Sequence, residues 1–386
     1  MKKILAAAIL SLSLLMALDV LVIDSAINTD EATDHTDNAL YVERAKAILE
    51  GKLLYRDVET KTPPLINYLL VPPVLFGGSS LAFELYFSFF VVLTVISLYH
   101  FLSSVDRRFA FAAAISFLFI PTTLATPTLC RQDESIVVFF FILPLLLLYA
   151  HKRKGLYSLL AAMGVWMKMH SVFLIPPFLL RQRGKELARH LLIMAGTSLV
   201  IILPFLVLAF NDFTWYLKFY LLGEGEELQG ISVWRILDSQ GITVPGMVLI
   251  GILGVVLVGI YVWQYKKSLW RCILLSMMAY FIIYPKIHYE YFLMLFVVAA
   301  PYLIERRKHI ALLYVISALT SITLVIEQRY LDWKTAHYAY GIMVGAALLC
   351  MLAVDVLLIY LARECCAHES WLDDIDIDGH PVMTAR

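Results

Sequence analysis

Long apolar runs separated by short polar connections set the pattern of this chain. The runs are Ile4–Ile23, Leu81–Leu102, Phe109 to near Leu124, Ile136–Tyr149, Leu191–Phe210, Val244–Tyr265, Cys272–Tyr284, Tyr291–Ile304, Ile310–Ile326 and Tyr338–Leu361. Two shorter ones, Leu156–Met167 and Val172–Leu180, flank the polar cluster Lys168-Met169-His170 and read as half-length helices meeting near the outer face. A bilayer core takes about 20 apolar residues per helix, so the pattern predicts about 12 spans. The run Ile4–Ile23 follows Met1-Lys2-Lys3 as a signal peptide would. It lacks a small-x-small cleavage site and reads as a first membrane helix that stays. Leu65–Phe76 is too short to span and contains Pro72-Pro73, which places it as a re-entrant or interfacial helix.

The polar interruptions are unequal. The first, residues 25–62, carries acid at Asp30, Glu31, Asp34, Asp37, Asp57 and Glu59 and base at Arg44, Lys46, Lys52, Arg56 and Lys61. Its middle, Asp37–Glu50, has helical periodicity: Leu40, Tyr41, Ala45, Ile48 and Leu49 share one face, and Glu43, Lys46 and Glu50 sit opposite. Asp34, Thr36 or Asp37 caps the start and Gly51 stops it. Such a helix is expected on the membrane surface, apolar face down. A solvated connector is the plainer reading, but long loops are more often functional than idle. A second large loop, residues 211–243, is rich in aromatics.

Composition agrees with the pattern. The chain is 61% hydrophobic and 16% charged, against about 25% charged in soluble domains. The expected fold is an all-α polytopic membrane protein whose long first extracytoplasmic loop carries an amphipathic helix. Zero formal net charge gives no support to a nucleic-acid partner. Five cysteines show neither CxxC nor zinc spacing, so no disulfide framework is expected. Cys365 and Cys366 follow a membrane helix and suit either acylation or plain packing. Residues 1–362 form the membrane domain, and the tail 363–386, with Asp373, Asp374, Asp376 and Asp378, is expected to be cytoplasmic and disordered.

Charge orients the spans. With the N-terminus in the cytoplasm, the inward connections carry Arg107-Arg108, Lys152-Arg153-Lys154, Arg181/Arg183/Lys185/Arg189, Lys266-Lys267/Arg271 and Arg306-Arg307-Lys308, as the positive-inside rule requires. Both termini are then cytoplasmic. The outward basic residues, including Lys61, Arg131, Lys168 and Lys286, need another reason.

The outward face collects candidate chemistry: Asp37 at the start of the loop helix, Lys61 before Pro63-Pro64, Arg131, Asp133 and Glu134 in CRQDES, Lys168 and His170, and His288, Glu290 and Tyr291 in PKIHYEYF. A ring of interfacial ion pairs would also place charges here, at a cost unless they are paired or functional. Glycosyl transfer to a hydroxyl needs a base for the proton, and a carboxylate at the water–membrane boundary can serve. A leaving phosphate needs fixed positive charge, for which Lys61, Arg131 and Lys168 are candidates. Asp37, Asp133 and His288 could instead hold a divalent metal, magnesium or manganese, although their spacing does not demand it.

Asp37-Asn38-Ala39-Leu40-Tyr41, Ala45, Gly51, Tyr55-Arg56-Asp57 and Lys61-Thr62-Pro63-Pro64-Leu65 resemble the first loop of the GT-C glycosyltransferases. The nearest branch is the family-39-like group of protein O-mannosyltransferases and aminoarabinose transferases. The resemblance covers roughly residues 1–310 and is most specific in the first loop. It implies transfer from a polyprenyl- or dolichyl-phosphate sugar to a lipid, glycan or protein acceptor on the extracytoplasmic face. It implies Asp37 as base or acceptor-orienting carboxylate, Asp133 as a second essential acid, and Lys61 as the donor-phosphate lysine. Tyr41, Asp57, Glu134, His170, His288 and Tyr291 are the expected donor or acceptor contacts. The chain departs from the family at Asn38, where a glutamate is usual, and at Thr62, which separates Lys61 from the prolines.

A secondary transporter or lipid flippase is the competing reading, since about 12 spans and broken helices suit it. Against it, the halves show no internal repeat, and polar residues gather at one face, with Asp19 and Asp355 as the midspan exceptions.

Overall fold

The computed structural model describes residues 1–23, 36–222, 229–332, 337–338 and 341–375. Asp30, Glu31, Asp34, Lys334, Asp376 and Asp378 lie outside them. Helices dominate, and the strands are two-residue pairs: Gln229–Gly230 runs parallel to Lys286–Ile287, and Leu331–Asp332 antiparallel to His337–Tyr338.

Seven helices among the described residues are long and apolar enough to cross a membrane: Lys2–Ile23, Ser80–Leu102, Glu134–His151, Gly184–Leu208, Gly246–Gln264, Arg307–Glu327 and Gly341–Ala367. Pro64–Leu75, Met169–Leu179, Leu269–Ile283 and Tyr289–Leu303 are apolar but shorter. The chain is therefore a helical multi-pass membrane protein. Its surface agrees. Only 11% of the apolar window of Gly184–Leu208 and 17% of that of Gly246–Gln264 is buried. Leu192, Val200, Val207, Val255 and Val262 stand outward, which suits lipid and would be a liability in water.

Helix ends follow local chemistry. Ser79 caps Ser80–Leu102 by accepting the Ala82 N–H at 3.3 Å. Asp106 caps Arg107–Leu118 through the Arg108 and Phe109 N–H groups. The apolar run expected to span from Phe109 to Leu124 is divided: one helix stops at Leu118, and Pro121 opens a separate short one to Ala125. Proline is preorganised for a first helical turn but cannot donate within one. Among its described residues, the second large loop is helical over Phe210–Leu222 and Val233–Asp238.

The chain forms two compact units among these residues, Met1–Phe119 with Thr123–Leu217, and Ile120–Thr122 with Lys218–Ile375. In the first, Ser80–Leu102 packs along Glu134–His151, and the loop helix Asn38–Leu49 rests on Pro64–Leu75. In the second, Phe292–Leu303 is buried along its whole length, so it is a core helix with no lipid-facing side.

Two expectations are corrected. The loop helix falls within one residue of the expected bounds at each end, but its buried stripe is Asn38, Tyr41, Ala45 and Ala47, while Leu40 and Leu49 are 45% and 51% exposed. The tail is folded as far as it is described. Helix Gly341–Ala367 runs past Arg363, and Trp371 and Leu372 are buried. The Trp371 indole donates to the Pro301 carbonyl at 2.8 Å, and Asp373 pairs with Arg271 and accepts from the Tyr302 hydroxyl at 2.6 Å. No disulfide joins any of the five cysteines, and Cys365 is buried.

Candidate functional site

The site grows from the start of the loop helix. Asp37 is the N-cap residue of Asn38–Leu49, yet its side chain accepts no capping hydrogen bond. The carboxylate instead meets the Gln132 side chain. One turn on, Tyr41 is 3% exposed and packs against Phe83 and Phe87, with ring centroids 5.8 and 6.0 Å away. Its hydroxyl donates to Gln132 Oε1 at 3.0 Å and accepts the Asp133 N–H at 3.3 Å. The loop helix is thereby joined to the head of Glu134–His151.

That head is built by a backbone reversal. Arg131 takes φ 48°, the left-handed region that non-glycine residues seldom enter. Gln132, Asp133 and Glu134 follow, and the last two carboxylates are 2% and 0% exposed. Both meet Lys168, which is extended just before the 3-10 helix Met169–Leu174. Lys168 Nζ lies 3.0 Å from Asp133 Oδ1 and 2.5 Å from Glu134 Oε1. Three segments far apart in sequence thus converge on Asp37, Tyr41, Gln132, Asp133, Glu134 and Lys168.

The electrostatics are uneven across this cluster. Burial, seconded by Asp133, raises the Asp37 carboxyl above its ordinary range, against the lowering pull of Lys168, Gln132 and Arg44. Burial likewise keeps the Tyr41 phenol protonated far into the alkaline range. Burial alone would lower the Lys168 ammonium; Asp133 and Glu134 outweigh it and hold the charge. Burial thus favours the protonated form of Asp37.

The remaining expected residues are placed as follows. Arg131 is 1% exposed and faces Asp19 Oδ2 at 3.9 Å. Asp19 is itself fully buried in the π-helical turn Asp19–Ile23 that ends the first helix. Lys61 is exposed in the loop, and four residues later the Leu65 N–H donates to the Trp166 carbonyl at 2.9 Å, close in sequence to Lys168. Thr62 is part of the turn: its carbonyl accepts from Tyr55 OH at 2.9 Å, and its hydroxyl bonds the buried Asn67. Asp57 is fixed by the Arg56 fork and by the Leu53 N–H, which hold its carboxyl down at about 2. His170 is buried in the 3-10 helix. His288 and Tyr291, with rings 5.1 Å apart, belong to the second unit. There Gly230 lies so close to the backbone that an added Cβ would fall 1.8 Å from the Ile287 oxygen.

Among the described residues no group of three or more His, Cys, Asp or Glu is gathered closely enough to hold a metal ion. The charge facing Asp133 and Glu134 is the Lys168 ammonium. Two participants escaped the sequence reading. Gln132 is neutral and carries no charge signal, and Asp19 was visible only as a carboxylate in an apolar run. No protein-family model and no curated protein matches this chain.

Proposed function

We propose that the chain is an integral-membrane glycosyltransferase of the GT-C kind, moving a sugar from a polyprenyl- or dolichyl-phosphate donor to a hydroxyl acceptor at the extracytoplasmic face. The observation that carries this reading is the Asp37 carboxylate. It is held at the junction of polar loop and apolar bundle, released from capping, and shifted by burial toward the range of a working base.

In this reading Asp37 takes the acceptor hydroxyl proton as that oxygen attacks the anomeric carbon. The bond from that carbon to the phosphate oxygen breaks, and its electron pair leaves with the polyprenyl phosphate. Asp133 orients the acceptor and is itself held by Lys168. Lys61, exposed on the loop, offers positive charge to the phosphate, while Lys168, already paired with Asp133 and Glu134, holds those two carboxylates in place. Arg131 has a buried carboxylate partner in Asp19, which favours a role in holding the Gln132–Asp133 turn over a role on the phosphate. The active face is extracytoplasmic, both termini are cytoplasmic, and the count of about 12 spans includes the short helices as half-spans.

The test is purified protein with a panel of polyprenyl-phosphate sugars and no ion gradient. Release of polyprenyl phosphate that needs an acceptor supports the reading. Gradient-dependent movement of a substrate with no bond cleavage rejects it in favour of transport.

A further inference from the structure

The first unit also carries a cavity of about 350 Å³ that the proposed transfer step does not use. This lies within the ~300–1,000 Å³ typical of small-molecule sites. Tyr55, Arg56, Asp57 and Glu59 line it from the first loop, and Asp212 and Trp215 from helix Phe210–Leu222. Thr60, 3% exposed, completes the lining.

Its walls are held from behind. Tyr55 sits at φ 71°, a conformation seldom taken by a non-glycine residue. It is fixed there by its hydroxyl bond to the Thr62 carbonyl and by edge contacts to Phe205 and Phe213, with centroids 5.3 and 5.2 Å away. Phe213 in turn packs on Trp166 at 6.1 Å, two residues before Lys168. A continuous aromatic wall therefore runs from the cavity to the Lys168 segment.

The chemistry of the lining is specific. Trp215 is 39% exposed, an indole left in contact with whatever fills the space. Arg56 is forked onto Asp57, so the formal charge left over is that of Glu59 and Asp212. An aromatic face beside two acceptor-only carboxylates suits a ring with apolar C–H faces and hydroxyl donors at its rim. The same excess negative charge repels phosphate.

We infer that this cavity binds an uncharged saccharide and holds it as the glycan acceptor of the proposed transfer. The acceptor role rests on the glycosyl-transfer reading; saccharide binding does not.

Full-length protein in nanodiscs, with no lipid-linked donor present, tests it by saturation-transfer NMR. The probes are methyl α-mannoside, methyl β-glucoside and methyl β-xyloside, with glucose 6-phosphate as the anionic counterpart. Saturable binding of at least one glycoside is expected. Trp215→Ala should weaken it about tenfold or more and Trp215→Phe should retain most of it, because an anchoring ring is lost in one and kept in the other. Asp212→Asn, an isosteric change at an exposed position, should let glucose 6-phosphate bind more tightly than it does to the wild type. The inference is overturned if no glycoside saturates, if Trp215→Ala binds as the wild type does, or if glucose 6-phosphate matches methyl β-glucoside on the wild type. Binding without any transfer would sink the enzymatic reading and leave the site; transfer without Trp215-dependent binding would do the reverse.

Discussion

Asp37 occupies a capping position and caps nothing. Asn is about as good at an N-cap as Asp, so Asp37→Asn isolates the charge. Because the carboxyl is raised in the folded protein, its ionisation opposes folding: stability declines as pH rises between its ordinary and its raised value. The amide lacks this decline. Asp37→Asn should therefore melt no lower than the wild type at neutral pH, while turnover on a lipid-linked sugar falls about 100-fold or more. Near-wild-type turnover would move the base elsewhere, to Asp57 or Asp133. Lys168 answers differently. Lys168→Met strands two carboxylates that are almost fully buried, and losing one partner of such a set costs about 3–5 kcal/mol. Thermal unfolding of the detergent-solubilised protein reads this loss, and adding Glu134→Gln should restore part of it. At this scale the sequence reveals charges that are costly where they stand. Asp37, Asp133 and Lys168 were legible in that way. Gln132 was not, because its part depends on the left-handed backbone at Arg131 and on a tyrosine 91 residues away.

At the scale of elements, helical periodicity placed the loop helix within a residue of its observed ends. It did not place the buried face, because a lipid surface and a protein surface both reward apolar residues. Tyr41, buried for its ring and its hydroxyl bonds, turned the helix toward the protein and left Leu40 and Leu49 outside. Ala45, at 0% exposure, has no room to grow. Ala45→Leu should cost about 1–3 kcal/mol by overpacking, and Leu49→Ser should stay within about 0.5 kcal/mol in detergent. Equal effects of the two on the melting curve would contradict the observed face. The tail teaches a related lesson. Its acidic composition suggests disorder, but Trp371 and Leu372 are apolar anchors within it, and Asp373 meets Arg271. Asp373→Ala leaves that guanidinium, 7% exposed, without its carboxylate. A loss of about 3–5 kcal/mol is expected, read as a lower unfolding temperature.

At the scale of the whole molecule, hydropathy separated lipid from water but not a span from a half-span. Helices Leu269–Ile283 and Tyr289–Leu303 are as apolar as the long ones because protein surrounds them, whereas Gly246–Gln264 is apolar because lipid does. Composition is blind to that difference, so the count of crossings has to come from sidedness. Within the first unit, positive-inside charge puts Lys52 outside, and Arg153 and Lys185 inside. All three are exposed, so each accepts a labelled side chain without disturbing the core. In a cysteine-less background, Lys52→Cys should react with an impermeant maleimide on intact cells. Arg153→Cys and Lys185→Cys should react only after permeabilisation. The two inward positions flank Lys154–Val165 and Met169–Leu179, the helices that meet at Lys168. If both label from inside, these helices go out and return as a pair, with Lys168 at their outer turn and on the same side as Asp37. Labelling of Arg153 and Lys185 from opposite sides would mean a single crossing between them, and the extracytoplasmic placement of the Asp37–Asp133–Lys168 cluster would fall with it.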